Sequence, residues 1–192
     1  MKIYTRKGDD GTTGLLYGGR VAKDSAAIEA TGAVDEAQAA LGQARAEADA
    51  GSDLEALLVG LERDLYVLMA ELATAPANRA KLLPGRSMVS GEMVARLEVA
   101  IDEVTGRFPP VTEFVVPGEN RVSAALDVAR TVVRRAERRC LAVAGAESQV
   151  GPYLNRLSDL LWTMARWQEH GQSRPSRVPP IEQGPAGQRG AD

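Results

Sequence analysis

The stretch from residue 52 to residue 72 reads SDLEALLVGLERDLYVLMAEL, and its leucines recur at steps of three and four residues. That spacing places apolar side chains on one face of an α-helix. The stripe consists of seven leucines: Leu54, Leu57, Leu58, Leu61, Leu65, Leu68 and Leu72. Ser52 or Asp53 stands directly before it, where a side-chain oxygen can cap the first turn. The stretch therefore predicts a long helix that must bury its leucine face against other helices.

Four other segments show the same helical period. The predicted helices run from Ser25 to about Gly51, from Ser90 to Gly106, onward from about Asn120, and from about Gly151 to His170. Prolines break the basic connection at 76–87, and the piece at 112–120 has no helical period and is predicted to be extended. Five amphipathic helices joined by short connections predict an all-α fold, an antiparallel five-helix bundle of ferritin-like type.

The predicted bundle occupies residues 1–170 and begins with a glycine-rich loop. Residues 171–192 are rich in Pro, Gly and Arg and carry no apolar stripe, so they are predicted to form a tail that adds little to the core. With 192 residues and 44% hydrophobic content, the chain suits one globular domain with a substantial core.

Composition excludes several classes of protein. Cys140 is the single cysteine and His170 the single histidine, which argues against disulfides, cysteine-rich metal sites, zinc hydrolases, haem proteins and Ser-His-Asp enzymes. The net charge of -3 argues against a general nucleic-acid-binding protein. No apolar run has the length of a membrane span or the character of a signal peptide, so the expected setting is the reducing cytoplasm, without a membrane.

Residues 4–19, YTRKGDDGTTGLLYGG, are polar and crowded with glycine. One interpretation is a mobile terminus. The other is a phosphate-binding loop, because glycines let backbone N–H groups converge on a phosphate while threonine hydroxyls, Lys7 and Lys23 add donors and charge. The loop lacks the Gly-Lys-Ser/Thr of a Walker motif. Asp9 and Asp10 suit a polyanion site only if they cap turns or face a metal ion.

The fourth predicted helix carries a charged strip along one flank of its apolar face. At about 100° per residue, Arg130, Arg134 and Glu137 share this flank, whereas Arg135 and Arg139 fall on the opposite one. The strip is interpreted either as a solvated face with ion pairs such as Arg134–Glu137, each worth about 0.2–0.5 kcal/mol, or as an anion cradle. Arginine suits the second role, since its planar fork of donors matches phosphate and carboxylate.

Two further polar positions are candidates for a site. Asn155 and Asp159 lie four residues apart on one flank of the fifth helix, and Asn has mediocre helix propensity, so a paired amide is expected. Asp35 directly follows the apolar Val34 and lies beside the core face, where it needs a cationic partner.

Several segments together resemble one family. YTRKGDDGTTGL at the start, GAVDEAQAALG at 32–42, FVVPG at 114–118, ARTVVRRAERR at 129–139 and YLNRLSDLLWTMAR at 153–166 are similar, in this order, to the ATP:cob(I)alamin adenosyltransferases of the PduO type. The similarity extends to about residue 170. It implies a homotrimer with sites between subunits, which transfers the 5'-deoxyadenosyl group of ATP to the cobalt of cob(I)alamin and gives adenosylcobalamin and inorganic triphosphate.

The resemblance also assigns residues. The triphosphate of ATP, accompanied by Mg²⁺, is expected on Thr5, Arg6, Lys7, Gly8, Gly11, Thr12, Thr13 and Lys23. A neighbouring subunit is expected to supply Arg130, Arg134, Glu137 and Asn155, and Arg135 and Arg138 of the same block join the nucleotide-binding set. Asp35 is expected to pair with Arg130. Phe114 matches an aromatic residue under the corrin ring that excludes the lower axial ligand of cobalt. No protein ligand to a metal is assigned.

The chain departs from the family pattern at Glu119, where a second glycine is usual, so the bend after Pro117 is expected to differ. A corrinoid reductase and an adenosylcobalamin-dependent mutase are the expected partners. One alternative is a non-catalytic carrier of adenosylcobalamin with the same fold. Another is a helical interaction module whose basic fourth helix meets an acidic partner or nucleic acid, which predicts steep salt dependence and no need for the glycine-rich loop.

Overall fold

Five long α-helices account for most of the computed structural model, which describes residues 4–177. They are α1 (Ala26–Ala46), α2 (Asp53–Leu72), α3 (Gly91–Thr105), α4 (Arg121–Cys140) and α5 (Val150–Gln168). A 3₁₀-helix spans Pro76–Lys81, and four short strands form two antiparallel pairs, β1 (Thr12–Gly14) with β2 (Arg20–Ala22) and β3 (Val115–Val116) with β4 (Arg174–Pro175). The predicted all-α fold class is confirmed. No helix within 4–177 is long and apolar enough to cross a membrane.

The helices alternate in direction along the chain. In space, α4 packs against α5 and α1, α2 packs on the other side of α1, and α3 packs on the other side of α5. Because α3 and α5 run in the same sense, they are parallel neighbours. Arg156 of α5 accordingly pairs with Glu98 of α3. At the C-terminal ends of the same two helices, the Arg107 guanidinium lies over the Trp167 ring.

The leucine stripe of α2 faces the core as its spacing predicts. Six of its seven leucines are buried, and only Leu57 is partly exposed. Fully burying a leucine stabilises the folded state by about 1.5–3 kcal/mol, so this face strongly favours the packing of α2 in the bundle.

The helix starts largely follow the predicted caps. The Ser52 hydroxyl accepts the N–H of Glu55 at 3.2 Å, and Asn120 forms a reciprocal capping box with Ser123. Ser25 occupies the N-cap position of α1, but its side chain makes no capping hydrogen bond. The prediction that the first helix extends to about Gly51 is wrong. It ends at Ala46 because a turn follows in which Gly51, at φ 75°, redirects the chain into the Ser52 cap.

One end of the bundle is organised by a buried carboxylate. Glu71 is 1% exposed and accepts hydrogen bonds from Arg79 at 2.9 Å, from the Val89 N–H at 2.8 Å and from the Ser148 hydroxyl at 2.7 Å. These three donors belong to the connections that lead into α3 and α5. Since the β1–β2 hairpin also docks here, through the Leu16 N–H to Ala73 O at 2.9 Å, we call this the hairpin end.

The opposite end gathers the start of α2 and α4 with the ends of α3 and α5. Arg107 pairs with Asp53 at 2.9 Å, and the Asn120 amide donates to Gln168 O at 2.8 Å. The β3–β4 pair, with Phe114 directly before β3, lies here, so we call it the Phe114 end. With 20 residues at 1.5 Å each, α2 separates the two ends by about 30 Å.

Candidate functional site

The glycine-rich segment folds as a small hairpin. Thr12, Thr13 and Gly14 of β1 pair with Ala22, Val21 and Arg20 of β2. Gly11 has φ 79° just before β1, and Gly18 and Gly19 have φ 99° and 94° in the turn, a region that side chains with a Cβ rarely adopt. These three glycines are therefore required by the turns themselves, independently of any ligand.

Arg20 holds this hairpin closed, and sequence reasoning did not select it. Its guanidinium donates to the carbonyl oxygen of Lys7 and, from Nε at 2.9 Å, to the hydroxyl of Thr12. Asp10 accepts the N–H of Thr12 at 3.0 Å and its hydroxyl at 2.8 Å. These two bonds from Thr12, the backbone one first, lower the pKa of Asp10 below its usual value of 3.8. Of the two roles left open for Asp10, the geometry supports turn capping.

Lys23 lies directly against Gly8. A Cβ built on Gly8 would lie 3.1 Å from Lys23 Nζ and 3.2 Å from the carbonyl oxygen of Thr12. The backbone N–H of Lys23 also donates to Gly11 O at 2.9 Å. Glycine at position 8 therefore leaves room for an ammonium group beside the loop backbone.

The remaining loop candidates lie close by. Thr5 Oγ1 accepts the N–H of Lys7 at 3.4 Å. Arg6 has φ 61° and stacks its guanidinium over the Tyr4 ring at 5.6 Å. Thr13 lies within β1 and is half-buried, whereas Thr5, Arg6 and Lys7 are exposed. All eight predicted loop residues thus lie in one basic, hydroxyl-rich segment that is exposed or half-buried.

The charged strip of α4 is only partly paired. Arg130 forms an ion pair with Asp127, from Nε to Oδ1 at 3.1 Å. Arg134 and Arg138 are exposed and make no ion pair within residues 4–177. Arginines that lack a carboxylate partner remain available to an external anion.

Glu137 and Asn155 meet across α4 and α5. The Asn155 amide donates to Glu137 Oε1 at 3.3 Å, so the expected paired amide is present. The suggested Arg134–Glu137 ion pair does not form within the described chain, because Glu137 turns toward α5 instead. Arg156 donates to Asn155 Oδ1 at 2.8 Å and fixes the orientation of that amide.

Arg135 lies on the opposite flank of α4, toward α1. It pairs with Glu36, and Arg139 pairs with Glu29 at 3.5 Å. These four charges surround a pocket of about 350 Å³ over Gly32 and Ala33 of α1. The structure does not bring Arg135 together with Arg130 and Arg134.

The expected contact between Asp35 and Arg130 is absent within one chain. Asp35 is exposed on α1, and Arg130 is occupied by Asp127, its neighbour one turn earlier. Because α1 and α4 are antiparallel, the ion pairs of Arg135 with Glu36 and of Arg121 with Glu47 place Arg130 level with a part of α1 beyond Asp35. A pairing of Asp35 with Arg130 of a neighbouring subunit stays a prediction.

Phe114 is the most exposed large apolar side chain of the described residues, at 86%. The Phe114 backbone is fixed by a hydrogen bond, in which Phe114 O accepts the N–H of Ser176 at 2.7 Å. The next two residues, Val115 and Val116, form β3 and pair with Pro175 and Arg174 of β4. Residues 171–177 of the predicted tail thus contact this segment, whereas 178–192 lie outside the described residues. Gly118 makes the bend at φ 107°, and Glu119 pairs with Arg174 at 3.0 Å.

Two other features lie apart from the predicted residues. A cavity of about 780 Å³ opens between α2 and α3 down to Leu160, and none of the predicted site residues lines it. Cys140 is fully buried, and that burial, with the Glu137 carboxylate nearby, raises the pKa of its thiol to about 12. Within 4–177, no cluster of three His, Cys, Asp or Glu residues could hold a metal ion.

Comparison with known proteins identifies relatives over nearly the whole described chain. The family model for cobalamin adenosyltransferase matches residues 3–168. The corrinoid adenosyltransferase of Citrobacter freundii is 40% identical over 171 residues, covering 88% of this chain and 95% of that protein. That of Mycobacterium tuberculosis strain H37Rv is 41% identical over 170 residues, covering 86% and 87%. The chain spans 50% of another relative, the corrinoid adenosyltransferase PduO of Citrobacter freundii, at 39% identity.

Solved structures show the same fold. A phenylalanine-to-alanine variant of the PduO-type ATP:corrinoid adenosyltransferase from Lactobacillus reuteri, complexed with cobalamin and ATP, superposes with a TM-score of 0.80 at 28% identity, covering 92% of this chain and 100% of that one. An arginine-to-lysine variant of the same protein, complexed with ATP, gives a TM-score of 0.78 at 28% identity, covering 91% and 100%.

Proposed function

This chain belongs to the cobalamin adenosyltransferase family, and we propose that its exposed loop and helix strip carry out the family's reaction. The protein transfers the 5'-deoxyadenosyl group of ATP to the cobalt of cob(I)alamin. The electron pair of Co(I) forms the bond to C5', the C5'–O bond breaks, and inorganic triphosphate leaves with that bonding pair. The products are adenosylcobalamin and triphosphate.

The residues of the chain agree with a reaction that needs no protein nucleophile. Cys140 is buried and its thiol pKa is about 12, so it carries little thiolate at neutral pH. Because the corrinoid itself attacks, the protein has only to position the two substrates and stabilise the leaving charge.

The hairpin holds the triphosphate. Lys7 and Lys23 supply positive charge, Thr5 and Thr13 supply hydroxyls, and the glycines allow backbone N–H groups to approach the phosphates. Arg20, through Lys7 O and Thr12 Oγ1, keeps these groups in one arrangement. Donors aimed at the leaving oxygen stabilise the charge that develops as the C5'–O bond breaks.

Complete sites form between subunits of a homotrimer. The hairpin and Phe114 lie at opposite ends of a bundle whose helix α2 is about 30 Å long, which supports sites shared between two chains. A neighbouring subunit brings its Arg130, Arg134 and Asn155 to the hairpin. Asp35 and Arg130 pair across this contact, while Arg138 adds positive charge near the phosphates.

Phe114 packs against the corrin and excludes the lower axial ligand of cobalt. It offers a large apolar surface with no ligand atom, and the paired strands behind it hold its backbone in place. Loss of the lower ligand makes Co(II) easier to reduce. This reduction to Co(I) is the difficult step that precedes transfer.

Mg²⁺ accompanies ATP on its phosphate oxygens. Asp10 is engaged by Thr12, and Asp9 and Asp24 beside the hairpin are exposed, which suits a cation held mainly by the nucleotide and water. The protein works in the cytoplasm, receives electrons through a corrinoid reductase and delivers its product to an adenosylcobalamin-dependent mutase.

The observation that carries this proposal is the hairpin that brings Lys23 back against Gly8 of the predicted loop, in a chain whose family is established. The decisive assay supplies chemically reduced cobalamin and Mg-ATP. Spectral conversion to the adenosylated corrinoid with stoichiometric free triphosphate is expected. Tight binding of adenosylcobalamin without turnover would instead identify a carrier.

A subunit-mixing experiment tests where the sites lie. A Lys7→Ala/Lys23→Ala variant and an Arg134→Ala variant are each expected to be nearly inactive. Random co-assembly gives about one quarter of sites with both elements intact if the site spans two chains. No recovery of activity in mixed trimers would place both elements in one chain and overturn the arrangement.

A further inference from the structure

A buried ionic cluster joins α4 to α5 near the Phe114 end. Arg166 is 2% exposed, and its Nη2 donates to Asp127 Oδ2 at 2.6 Å and to Glu169 Oε1 at 2.8 Å. Both carboxylates are also buried, and the buried Arg166 Nε has no hydrogen-bond partner among residues 4–177. Burying such charges costs free energy, and apolar replacements are often as stable or more so. The cluster therefore calls for a reason beyond holding two helices together.

One end of the cluster reaches the charged strip. Asp127 uses its second oxygen, Oδ1, to accept from Arg130 Nε at 3.1 Å. This contact occupies only the inner edge of the Arg130 guanidinium, and the terminal nitrogens make no hydrogen bond or ion pair within residues 4–177. Asp127 thus orients the Arg130 guanidinium, and the terminal nitrogens of that guanidinium remain available to a ligand.

The other end of the cluster reaches the Phe114 segment. Glu169 accepts on its second oxygen, Oε2, from the hydroxyl of Ser173. Ser173 directly precedes Arg174 and Pro175, which pair with Val116 and Val115, and Ser176 donates to Phe114 O. Each carboxylate therefore links Arg166 to a different candidate element.

We propose that Asp127, Arg166, Glu169 and Ser173 are positioning residues that hold Arg130 and the Phe114 segment of one subunit in a fixed relation. This inference rests on the proposed function, in which Arg130 faces the nucleotide and Phe114 the corrin. Transfer requires C5' and cobalt in line, and a displacement of about 1 Å can cost on the order of 100-fold in rate. A rigid connection inside one subunit keeps the two substrate platforms aligned.

Ser173→Ala cuts the link on the Phe114 side without removing a buried charge. Ser176→Ala is the matched control, since only its backbone N–H is used. Loss of one hydrogen bond is expected to raise KM for cob(I)alamin about three- to tenfold, with the Kd for ATP unchanged. Hydrogen exchange of peptides covering 112–118 and 172–177 is expected to accelerate in Ser173→Ala only.

Asp127→Asn cuts the link on the strip side, and Asp102→Asn, an exposed position on α3, is its control. The Kd for ATP, titrated without corrinoid, is expected to rise about three- to tenfold in Asp127→Asn only. If Asp127→Asn does not fold, Ser173→Ala decides alone. Ser173→Ala behaving like Ser176→Ala in both exchange and KM overturns the proposal.

Hydrogen exchange and ATP titration do not require the transferase reaction. They therefore test the link between Arg130 and the Phe114 segment separately from the proposed function. A wild-type protein without transferase activity would sink the proposed function, yet faster exchange at 112–118 in Ser173→Ala would still support the mechanical link. Normal wild-type activity with unchanged exchange would sink the link alone.

Discussion

Arg20 donates a hydrogen bond to the carbonyl oxygen of Lys7, thirteen residues earlier in the chain, and thereby closes the N-terminal hairpin on itself. Arg20→Gln removes this contact along with the ion pair to Asp10 at 3.5 Å. We expect the Kd for ATP to rise about tenfold, because the donors lose their shared arrangement. Thermal stability should change little, since the Arg20 side chain is exposed. Isothermal titration with Arg63→Gln, an exposed arginine on α2, as the control tests this; equal affinities for the two variants would contradict it.

Arg134→Ala should abolish transfer and leave the fold intact. The side chain is exposed on α4 and contributes nothing to the core, so unfolding curves should match the wild type. Loss of one charged donor at the leaving group is expected to lower kcat about 100- to 1,000-fold. Arg139→Ala, on the opposite flank of the same helix, serves as the control. Comparable losses in both variants would show a general effect of helix charge.

Asp35→Asn should weaken activity only if Asp35 meets Arg130 of another subunit. Combining it with Arg130→Gln in a double-mutant cycle measures their coupling in kcat/KM. Residues in contact show coupling of about 0.5–3 kcal/mol, whereas distant residues show nearly additive losses. Additive losses, or full activity of Asp35→Asn, would show that the pairing is dispensable.

Phe114→Ala should spare ATP binding and impair the reduction of Co(II). The ring is almost fully exposed, so its removal leaves no cavity in the core. Electron paramagnetic resonance of bound Co(II)alamin should lose the four-coordinate signature, and the defect should shrink when cob(I)alamin is supplied already reduced. Tyr66→Ala, 70% exposed on α2, should show neither change. A four-coordinate signature that survives in Phe114→Ala would refute the ligand-exclusion role.

Glu71→Gln should destabilise the hairpin end. Its carboxylate accepts from three donors on two connections, and a hydrogen bond to a buried charged group contributes about 1.5–3 kcal/mol. We expect a loss of about 3 kcal/mol in urea unfolding. Exposed Glu103→Gln is the control and should lie within about 0.5 kcal/mol of the wild type.

The helices could be predicted because their information is local. A few neighbouring residues are enough to identify each of three features: the leucine stripe of α2, the Asn120 cap of α4 and the start of α3 at Ser90. The paired amide of Asn155 was also expected, since asparagine within a helix needs a reason. The loop residues followed from glycine density and from resemblance.

The residues that sequence reasoning missed act over long separations. Glu71 meets Ser148 across 77 positions, and Arg166 meets Asp127 across 39. Asp127 lies beside the apolar stripe of α4 and reads as an ordinary helix-surface carboxylate. The early end of α1 was missed because alanines continue the helical pattern beyond Ala46 while the next cap interrupts it. Only the assembled bundle shows which charges are buried together.

The separation of the hairpin from Phe114 along the bundle also bears on how activity scales with dilution. In the proposed arrangement, a single subunit contributes parts of two active sites and completes neither. Turnover per milligram should therefore fall once the enzyme is diluted below the dissociation constant of its assembly, and it should recover on concentration. The protein concentration, through its effect on subunit association, would then set the fraction of complete active sites.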